Sequence, residues 1–250
     1  MADRLTVDVP TPPGGWLPPW PNVAEIASVL PHQKWTLVGG LMAQLHSIRR
    51  GVAVLRPTLD VDMVLHIETV HGVVAEAARV LESLGYEFAP SIDDRSNTAH
   101  RFTRDDSTAG VVDLLIADHA APRVIQSLRG RRMVAIEGGT QALKRTVNAR
   151  LEIVPGRMTT VSVPLPFGAT VLKAAAYLTD TRDRERHLRD AALLLAVIDD
   201  PYAERAGFAG SDRQRLLALA NVLPDDAREW HGLPEPWRTD GQAALRILTA

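Results

Sequence analysis

The stretch Arg56-Pro57-Thr58-Leu59-Asp60-Val61-Asp62-Met63-Val64-Leu65 predicts a β-strand with a charged entrance. Residues two apart in an extended chain point to the same face, so Asp60 and Asp62 leave one side of the strand while Val61 and Met63 leave the other. Two carboxylates held side by side repel each other. The usual remedies are a raised pKa on one of them or a shared divalent cation, and we favour the cation.

The composition is that of an ordinary globular protein whose charge excludes few partners. The chain has 250 residues, 46% of them apolar, which is enough for one large domain or two small ones. A formal net charge of −2 gives no overall attraction to nucleic acid, although arginine-rich segments could still form local basic patches. The chain contains no cysteine, so a bound metal must sit on carboxylates or histidines, which favours a hard cation such as Mg²⁺.

The sequence gives no sign of an export signal or a membrane anchor. The N-terminus lacks a basic stretch followed by an apolar one, and no apolar run approaches the roughly 20 residues that span a bilayer. We therefore expect a cytoplasmic protein with no membrane partner.

The order of the patterns predicts an arm, a mixed sheet and a helical half. Residues 1–21 are rich in proline and predict an extended arm, which either packs on the body of the protein or forms a poorly ordered tail. Residues 22–165 mix strand and helix patterns, whereas residues 166–250 predict helices only. The expected fold class is α+β, a mixed α/β arrangement with the helical half contributing to a shared cleft.

A strand, a paired-glycine turn and a helix precede the two aspartates. Gly39 and Gly40 directly follow a predicted strand that ends at Val38. Glycines at such a turn let backbone N–H groups approach a phosphate, and the helix N-terminus adds a favourable dipole. Such turns more often only connect two elements. Further along, Arg56 could meet a triphosphate or simply be solvated.

A later apolar run, residues 111–116, is interrupted by one carboxylate, Asp113. A buried strand has little reason to hold an aspartate unless the side chain is paired, hydrogen-bonded or metal-bound. On a strand beside Asp60 and Asp62, this third carboxylate would complete a site for one or two cations. The alternative is an aspartate at an exposed sheet end or capping a turn.

In the helical half, a break near residues 179–181 separates two predicted helices. On one unbroken helix Lys173 and Asp190 would lie ~26 Å apart, at about 1.5 Å per residue. Helices folded back on each other at the break could instead bring the two side chains into one site.

Together these patterns suit nucleotidyl transfer, because two cations on three carboxylates can polarise an α-phosphate, activate a hydroxyl and hold the leaving pyrophosphate. The arrangement resembles the polymerase β-like nucleotidyltransferase superfamily, and within it the AbiEii/AbiGii-type and MenT-type toxins. The resemblance spans roughly residues 35–198. It rests on Val38-Gly39-Gly40, Arg56-x-Thr58-x-Asp60-Val61-Asp62, Val112-Asp113-Leu114, Leu172-Lys173-Ala174 and Arg189-Asp190-Ala191.

The resemblance implies an enzyme that transfers a nucleoside monophosphate from a nucleoside triphosphate (NTP) and releases pyrophosphate. Its α/β domain would be residues 22–165, with Mg²⁺ or Mn²⁺ as cofactor. The metal ligands are then Asp60 and Asp62, with Asp113 as a third carboxylate or base. The expected nucleotide-binding residues are Gly39, Gly40, Arg56, Thr58 and Lys173, and Asp190 would complete the site.

Two departures from the pattern stand out. The spacing from Gly40 to Asp60 is longer than in compact members of the superfamily, though it suits this branch. Arg189-Asp190 stands where a lysine–aspartate pair is expected, so the role assigned to Asp190 rests on a poorer motif match than the roles of Asp60 and Asp62.

The acceptor implied by the resemblance is RNA, with tRNA 3′ ends a known target class, and the protein would be a toxin with a cognate antitoxin. A second interpretation keeps the chemistry but uses a small-molecule acceptor, as in antibiotic-modifying nucleotidyltransferases, and an acidic cleft would favour it. A third treats the fold as a non-catalytic nucleotide-binding or partner-binding module.

Overall fold

A computed structural model of the protein describes residues 4–52, 57–90, 98–105, 110–121, 124, 127–181 and 183–250. The strands are Thr6–Asp8 (β1), Trp35–Leu37 (β2), Asp60–Leu65 (β3), Glu87–Ala89 (β4), Thr98–Ala99 (β5), Arg101–Arg104 (β6), Gly110–Ala117 (β7), Ser127–Leu128 (β8), Arg131–Ile136 (β9), Thr146–Val154 (β10) and Arg157–Pro164 (β11). The α-helices are Trp20–Val29 (α1), Gly39–Arg50 (α2), Val73–Ser83 (α3), Gly139–Leu143 (α4), Pro166–Thr179 (α5), Arg184–Ala196 (α6), Pro201–Ala206 (α7), Asp212–Ala220 (α8) and Trp237–Thr249 (α9). Within the described ranges, 3₁₀ helices cover His32–Lys34 and Arg228–Gly232. The α+β fold class expected from the sequence is therefore confirmed.

The larger sheet is mixed and is built around β3 and β7. Its main path runs β2-β3-β7-β6-β4, and β9 pairs with the far end of β7. Strands β3 and β7 are parallel, whereas β2 and β6 run antiparallel to them. The apolar runs of β3 and β7 suit this central place, because strands covered on both faces are almost continuously hydrophobic. Asp62 and Asp113 lie directly opposite each other in this pairing.

The smaller sheet, of order β1-β10-β11, takes up the N-terminal arm. Strand β1 pairs in parallel with β10, and Trp16 packs edge-on against the buried Trp20. The described part of the arm, residues 4–21, therefore packs on the body of the protein, which is the first of the two expected alternatives. The predicted domain boundaries after residues 21 and 165 stay predictions.

Helix α1 begins at Trp20. Pro21 falls in the first turn, where a missing backbone N–H removes no helical hydrogen bond. Asn22 is buried inside the helix, and its Nδ2 donates to the Tyr86 hydroxyl at 2.7 Å. This bond connects α1 to the chain that follows α3.

Among the described residues, two apolar clusters form the core. The first surrounds the larger sheet and extends under the smaller one, and the second joins α5, α6, α8 and α9. Leu172 of α5 and Leu194 of α6 belong to the first cluster, so the helical half packs directly against the sheet. Among the helices of the described ranges, none combines the length and apolar character that crossing a bilayer requires.

A chain of buried hydrogen bonds joins the two sheets. The Gln33 carbonyl can only accept, so His66 Nδ1 donates to it at 2.7 Å and the neutral ring accepts at Nε2 from the Thr36 hydroxyl at 2.7 Å. Ser162 then donates to Thr36 at 3.0 Å and accepts from Arg4 at 2.9 Å. Burial lowers the pKa of His66 to about 4, which keeps the ring neutral and the direction of the chain fixed.

A second buried histidine ties α2 to the end of β11. His46 is 1% exposed, and its Nε2 donates to the Pro164 carbonyl at 2.8 Å. Burial lowers the pKa of His46 to about 4, against the opposing effect of that hydrogen bond. The protein therefore holds this ring neutral well below the pH at which an unfolded chain would protonate it.

This difference predicts an acid-sensitive fold. In the unfolded chain His46 is protonated near its ordinary pKa of 6.5, whereas in the folded protein it stays neutral down to a pH of about 4. Between these two pH values unfolding takes up a proton, so the free energy of unfolding decreases as the pH falls. From about pH 7 to about pH 5, the free energy of unfolding of the unchanged protein should fall by about 2 kcal/mol more than that of His46→Gln. Urea unfolding at a series of pH values measures this, with the exposed His231→Gln as control. An identical pH slope for His46→Gln and the unchanged protein would contradict the prediction.

Candidate functional site

Strand β3 presents its two aspartates to one face, as its alternation predicts. Val61 and Met63 are fully buried on the side of the core, whereas Asp60 and Asp62 are partly buried and both line a cleft. The cleft has a volume of about 620 Å³. This lies in the range of about 300–1,000 Å³ that small-molecule sites occupy.

The row of side chains across the sheet at this level is Asp62, Asp113 and Arg101, on β3, β7 and β6. Asp113 is the register partner of both Asp62 and Arg101. Arg101 donates from Nε to one Asp113 oxygen at 2.9 Å and from Nη2 to the other at 2.7 Å. The Asp113 side chain is 9% exposed and that of Arg101 43%. The buried carboxylate in the apolar strand is thus both paired and beside the aspartate pair.

Gly39 makes room for the Asp62 carboxylate. Its φ of +69° is a backbone conformation that side chains disfavour, and a Cβ built on it would lie 1.7 Å from Asp62 Oδ2. Gly39 is also the first residue of α2, so the carboxylate sits against the positive end of the helix dipole. The glycine is therefore required for the Asp62 carboxylate as well as being a candidate for phosphate binding.

The electrostatics at Asp62 are unbalanced toward negative charge. Burial raises its pKa to about 6, and the charges of Asp113 and Asp60 act in the same direction. The positive charges of Lys173 and Arg186 oppose this increase without cancelling it. A divalent cation beside Asp62 would favour the ionised form, because a bound ion is often the largest charge in such a site.

Helices α5 and α6 fold back at the expected break and bring Lys173 to Asp190. Lys173 Nζ lies 2.8 Å from Asp190 Oδ2, and the two side chains are only 6% and 4% exposed. Lys173 lines the cleft, whereas Asp190 stands behind it, outside the described lining of the cleft. Asp190 thus holds the lysine ammonium in position from within the helix pair.

The start of α6 adds groups that sequence patterns did not single out. His187 Nε2 and Arg186 Nη2 each donate to Asp180 at 2.9 Å, and both donors line the cleft. Burial lowers the pKa of His187 despite the Asp180 hydrogen bond. Asp183, the N-cap of α6, accepts from the Arg186 amide at 3.4 Å and also faces the cleft.

The structure thus brings nearly all of the predicted residues to one place. Those lining the cleft are Gly39, Gly40, Thr58, Asp60, Asp62, Asp113 and Lys173. Arg56 lies outside the described residues, so its expected contact with nucleotide stays a prediction. Arg101 was missed because its pairing with Asp113 depends on the β6–β7 register, which no local pattern in the sequence reveals.

The charged lining is acidic overall. Among the described residues of the cleft, five carboxylates face three cations: Asp60, Asp62, Asp113, Glu137 and Asp183 against Arg101, Lys173 and Arg186. Each of the three cations has an aspartate partner, namely Asp113, Asp190 and Asp180. The positive charges that the described residues bring to the cleft are therefore already paired.

The donor set suits a hard cation at Asp60 and Asp62. Within the described ranges, no group of three or more histidine, aspartate or glutamate side chains is arranged to hold a metal ion. Arg101 occupies both oxygens of Asp113, which removes the expected third ligand from this arrangement. Mg²⁺ usually binds through one or two carboxylates together with waters and substrate phosphates, so the pair on β3 fits a cation that shares a nucleotide.

Comparison with known proteins leaves the resemblance untested. No protein-family model matches the chain. No curated protein matches it either. The likeness to nucleotidyltransferase toxins therefore stays a prediction from the motifs.

The steric role of Gly39 can be tested against a second glycine of the same helix. Gly51 closes α2 with the same φ of +69° but has nothing within 4 Å of an added Cβ. Gly51→Ala should cost about 1 kcal/mol of backbone strain, whereas Gly39→Ala should cost about 2–4 kcal/mol because the methyl group also displaces Asp62. Urea unfolding measures both free energies, and equal costs for the two variants would refute the steric role.

The Lys173–Asp190 pair should behave as a buried ion pair. Asp190→Asn leaves a buried ammonium without its counterion and should cost about 3 kcal/mol, whereas Lys173→Met with Asp190→Leu should restore most of that stability. Asp225→Asn serves as control, since the Asp225–Arg246 pair is mostly exposed and should contribute under about 1 kcal/mol. Denaturant unfolding of the four proteins distinguishes these cases. An Asp190→Asn cost no larger than that of the control would show that the pair is not structurally important.

Proposed function

We propose that the protein is a metal-dependent nucleotidyltransferase that transfers a nucleoside monophosphate from an NTP to an RNA acceptor. The proposed acceptor is a tRNA 3′ end, and the proposed biological role is the toxin of a toxin–antitoxin system. The observation that supports this chemistry is that residues from distant segments meet in one cleft. Gly39, the Asp60/Asp62 pair, Asp113 and Lys173 come from four distant segments and line one cleft.

Each side chain has a role that follows from its position. Asp60 and Asp62 would hold the cation, which when bound polarises the α-phosphate. The α2 N-terminus at Gly39 offers backbone N–H groups and a positive dipole to phosphate oxygens. Lys173, fixed by Asp190, directs its charge at the same space. Asp113 stands next to Asp62 and would accept the proton of the attacking hydroxyl.

The acidic lining supports a second candidate for the acceptor. Among the described residues of the lining, five carboxylates against three paired cations would attract a positively charged small molecule more readily than a polyanionic RNA. The same chemistry directed at a hydroxyl of a cationic, antibiotic-type acceptor is therefore the alternative. Asp113 lies beside Asp62 and lines the same cleft, which is the arrangement that the catalytic interpretation expects.

Label transfer tests the proposal directly. The protein is incubated with each of the four α-labelled NTPs, Mg²⁺, and either total tRNA or a mixture of cationic aminoglycosides. We expect label on tRNA, and Asp62→Asn should reduce the rate by about 100-fold or more, because it removes a cation ligand. Asp8→Asn, at an exposed aspartate of the smaller sheet, should leave the rate unchanged.

The outcomes separate the candidates. Label on the aminoglycosides alone would replace RNA by the small-molecule acceptor. No label on any acceptor with any NTP, or equal rates for Asp62→Asn and the unchanged protein, would overturn the enzyme itself.

A further inference from the structure

Arg101 holds the carboxylate that the proposed chemistry needs. It faces Asp113 across the β6–β7 pair and binds it through a two-pronged contact, with one donor for each oxygen. Asp113 in turn is the neighbour of Asp62 on β3. As long as this contact persists, both Asp113 oxygens are engaged by the guanidinium, so a cation or an attacking hydroxyl must compete with Arg101 for them.

The position of the Arg101–Asp113 contact allows Arg101 to exchange Asp113 for a ligand in the cleft. Arg101 is 43% exposed on the cleft side of the pair, whereas Asp113 is 9% exposed. The Arg101 guanidinium is accessible from the cleft, and a phosphate presents two oxygens with the spacing that the planar guanidinium already matches in a carboxylate. A triphosphate entering the cleft would therefore find in Arg101 a ready ligand of suitable geometry.

The other two cations of the lining are held differently. Lys173 is buried with Asp190 and is fixed inside the α5–α6 pair. Arg186 is paired with Asp180, which also holds His187, at the start of α6. Neither partner belongs to the row of side chains at Asp62. Among these three cations, Arg101 is the one hydrogen-bonded to a carboxylate of that row.

We propose that Arg101 is a nucleotide-binding residue that reaches the triphosphate by leaving Asp113, so that substrate binding itself releases Asp113 for the cation and the attacking hydroxyl. The inference rests on the proposed function, since it presumes an NTP in this cleft. It makes Arg101 and a divalent cation competitors for Asp113 in the free protein and partners in the nucleotide complex.

Two binding measurements on the full chain test the exchange. Mn²⁺ binding without nucleotide is followed by electron paramagnetic resonance. Binding of each non-hydrolysable α,β-imido NTP with Mg²⁺ is followed by calorimetry. Arg101→Gln should raise Mn²⁺ affinity by about 3- to 10-fold, because the competitor is gone, and lower nucleotide affinity by about 10- to 100-fold, because the phosphate ligand is gone.

The smaller sheet offers a matched control. Arg150 binds Asp8 with the same two donors, Nε and Nη2, and the two residues are likewise cross-strand partners. Arg150→Gln should change neither affinity. Arg101→Lys keeps the charge but loses the two-pronged contact. It should therefore shift both affinities in the same directions as Arg101→Gln but less, and it decides the question if Arg101→Gln fails to fold.

Opposite shifts in the two affinities are the signature of the exchange, since a merely structural Arg101 would lower both. The inference is overturned if Arg101→Gln leaves Mn²⁺ affinity equal to or below that of the unchanged protein, or leaves nucleotide affinity unchanged. If the unchanged protein binds neither Mn²⁺ nor any NTP, the proposed function fails and the inference fails with it.

Discussion

The repulsion between Asp62 and Asp113 is the constraint on which the arrangement of this cleft depends. Parallel pairing of β3 with β7 sets the two carboxylates side by side in a row that the core covers from behind. Neither can turn away without breaking the alternation that buries Val61 and Val112 on the opposite face. Positive charge must therefore come from outside β3 and β7. It comes from Arg101 on β6, from Lys173 on α5 and from the N-terminus of α2.

Two parts of the fold, the start of α2 and the α5–α6 helix pair, supply positive charge to the cleft. Helix α2 begins at the glycine whose missing Cβ leaves room for the Asp62 carboxylate, so the turn, the helix dipole and the acid site share one residue. Helices α5 and α6 bury the Lys173–Asp190 pair in their contact, which fixes the ammonium against the wall of the cleft. The helical half is consequently part of the site as well as a support for the sheet.

Local patterns predicted the parts of this site that have a local cause. The period-two alternation of β3 placed Asp60 and Asp62 on one face, and the helix break brought Lys173 to Asp190. The sequence does not reveal which residues of neighbouring strands pair with each other. Arg101 meets Asp113 only because β6 and β7 pair as they do, and the close approach of Gly39 to Asp62 depends on how α2 crosses the end of β3. The interior position of Asp190, behind Lys173 and away from the cleft, follows likewise from helix packing that periodicity does not specify.

The charges of the described lining bear on how the proposed nucleotide would enter the cleft. Among the described residues, the lining has more carboxylates than cations and each of these cations is engaged by an aspartate, so the lining by itself would repel a free triphosphate. A divalent ion at Asp60 and Asp62 would reverse the local charge, and with Asp113 balanced by that ion its attraction for Arg101 would weaken. Under the proposed function, binding of the ion and binding of the nucleotide would then favour each other, as linkage requires whenever each ligand removes an obstacle to the other. The acidic lining would in that case select the metal–nucleotide complex over either component alone.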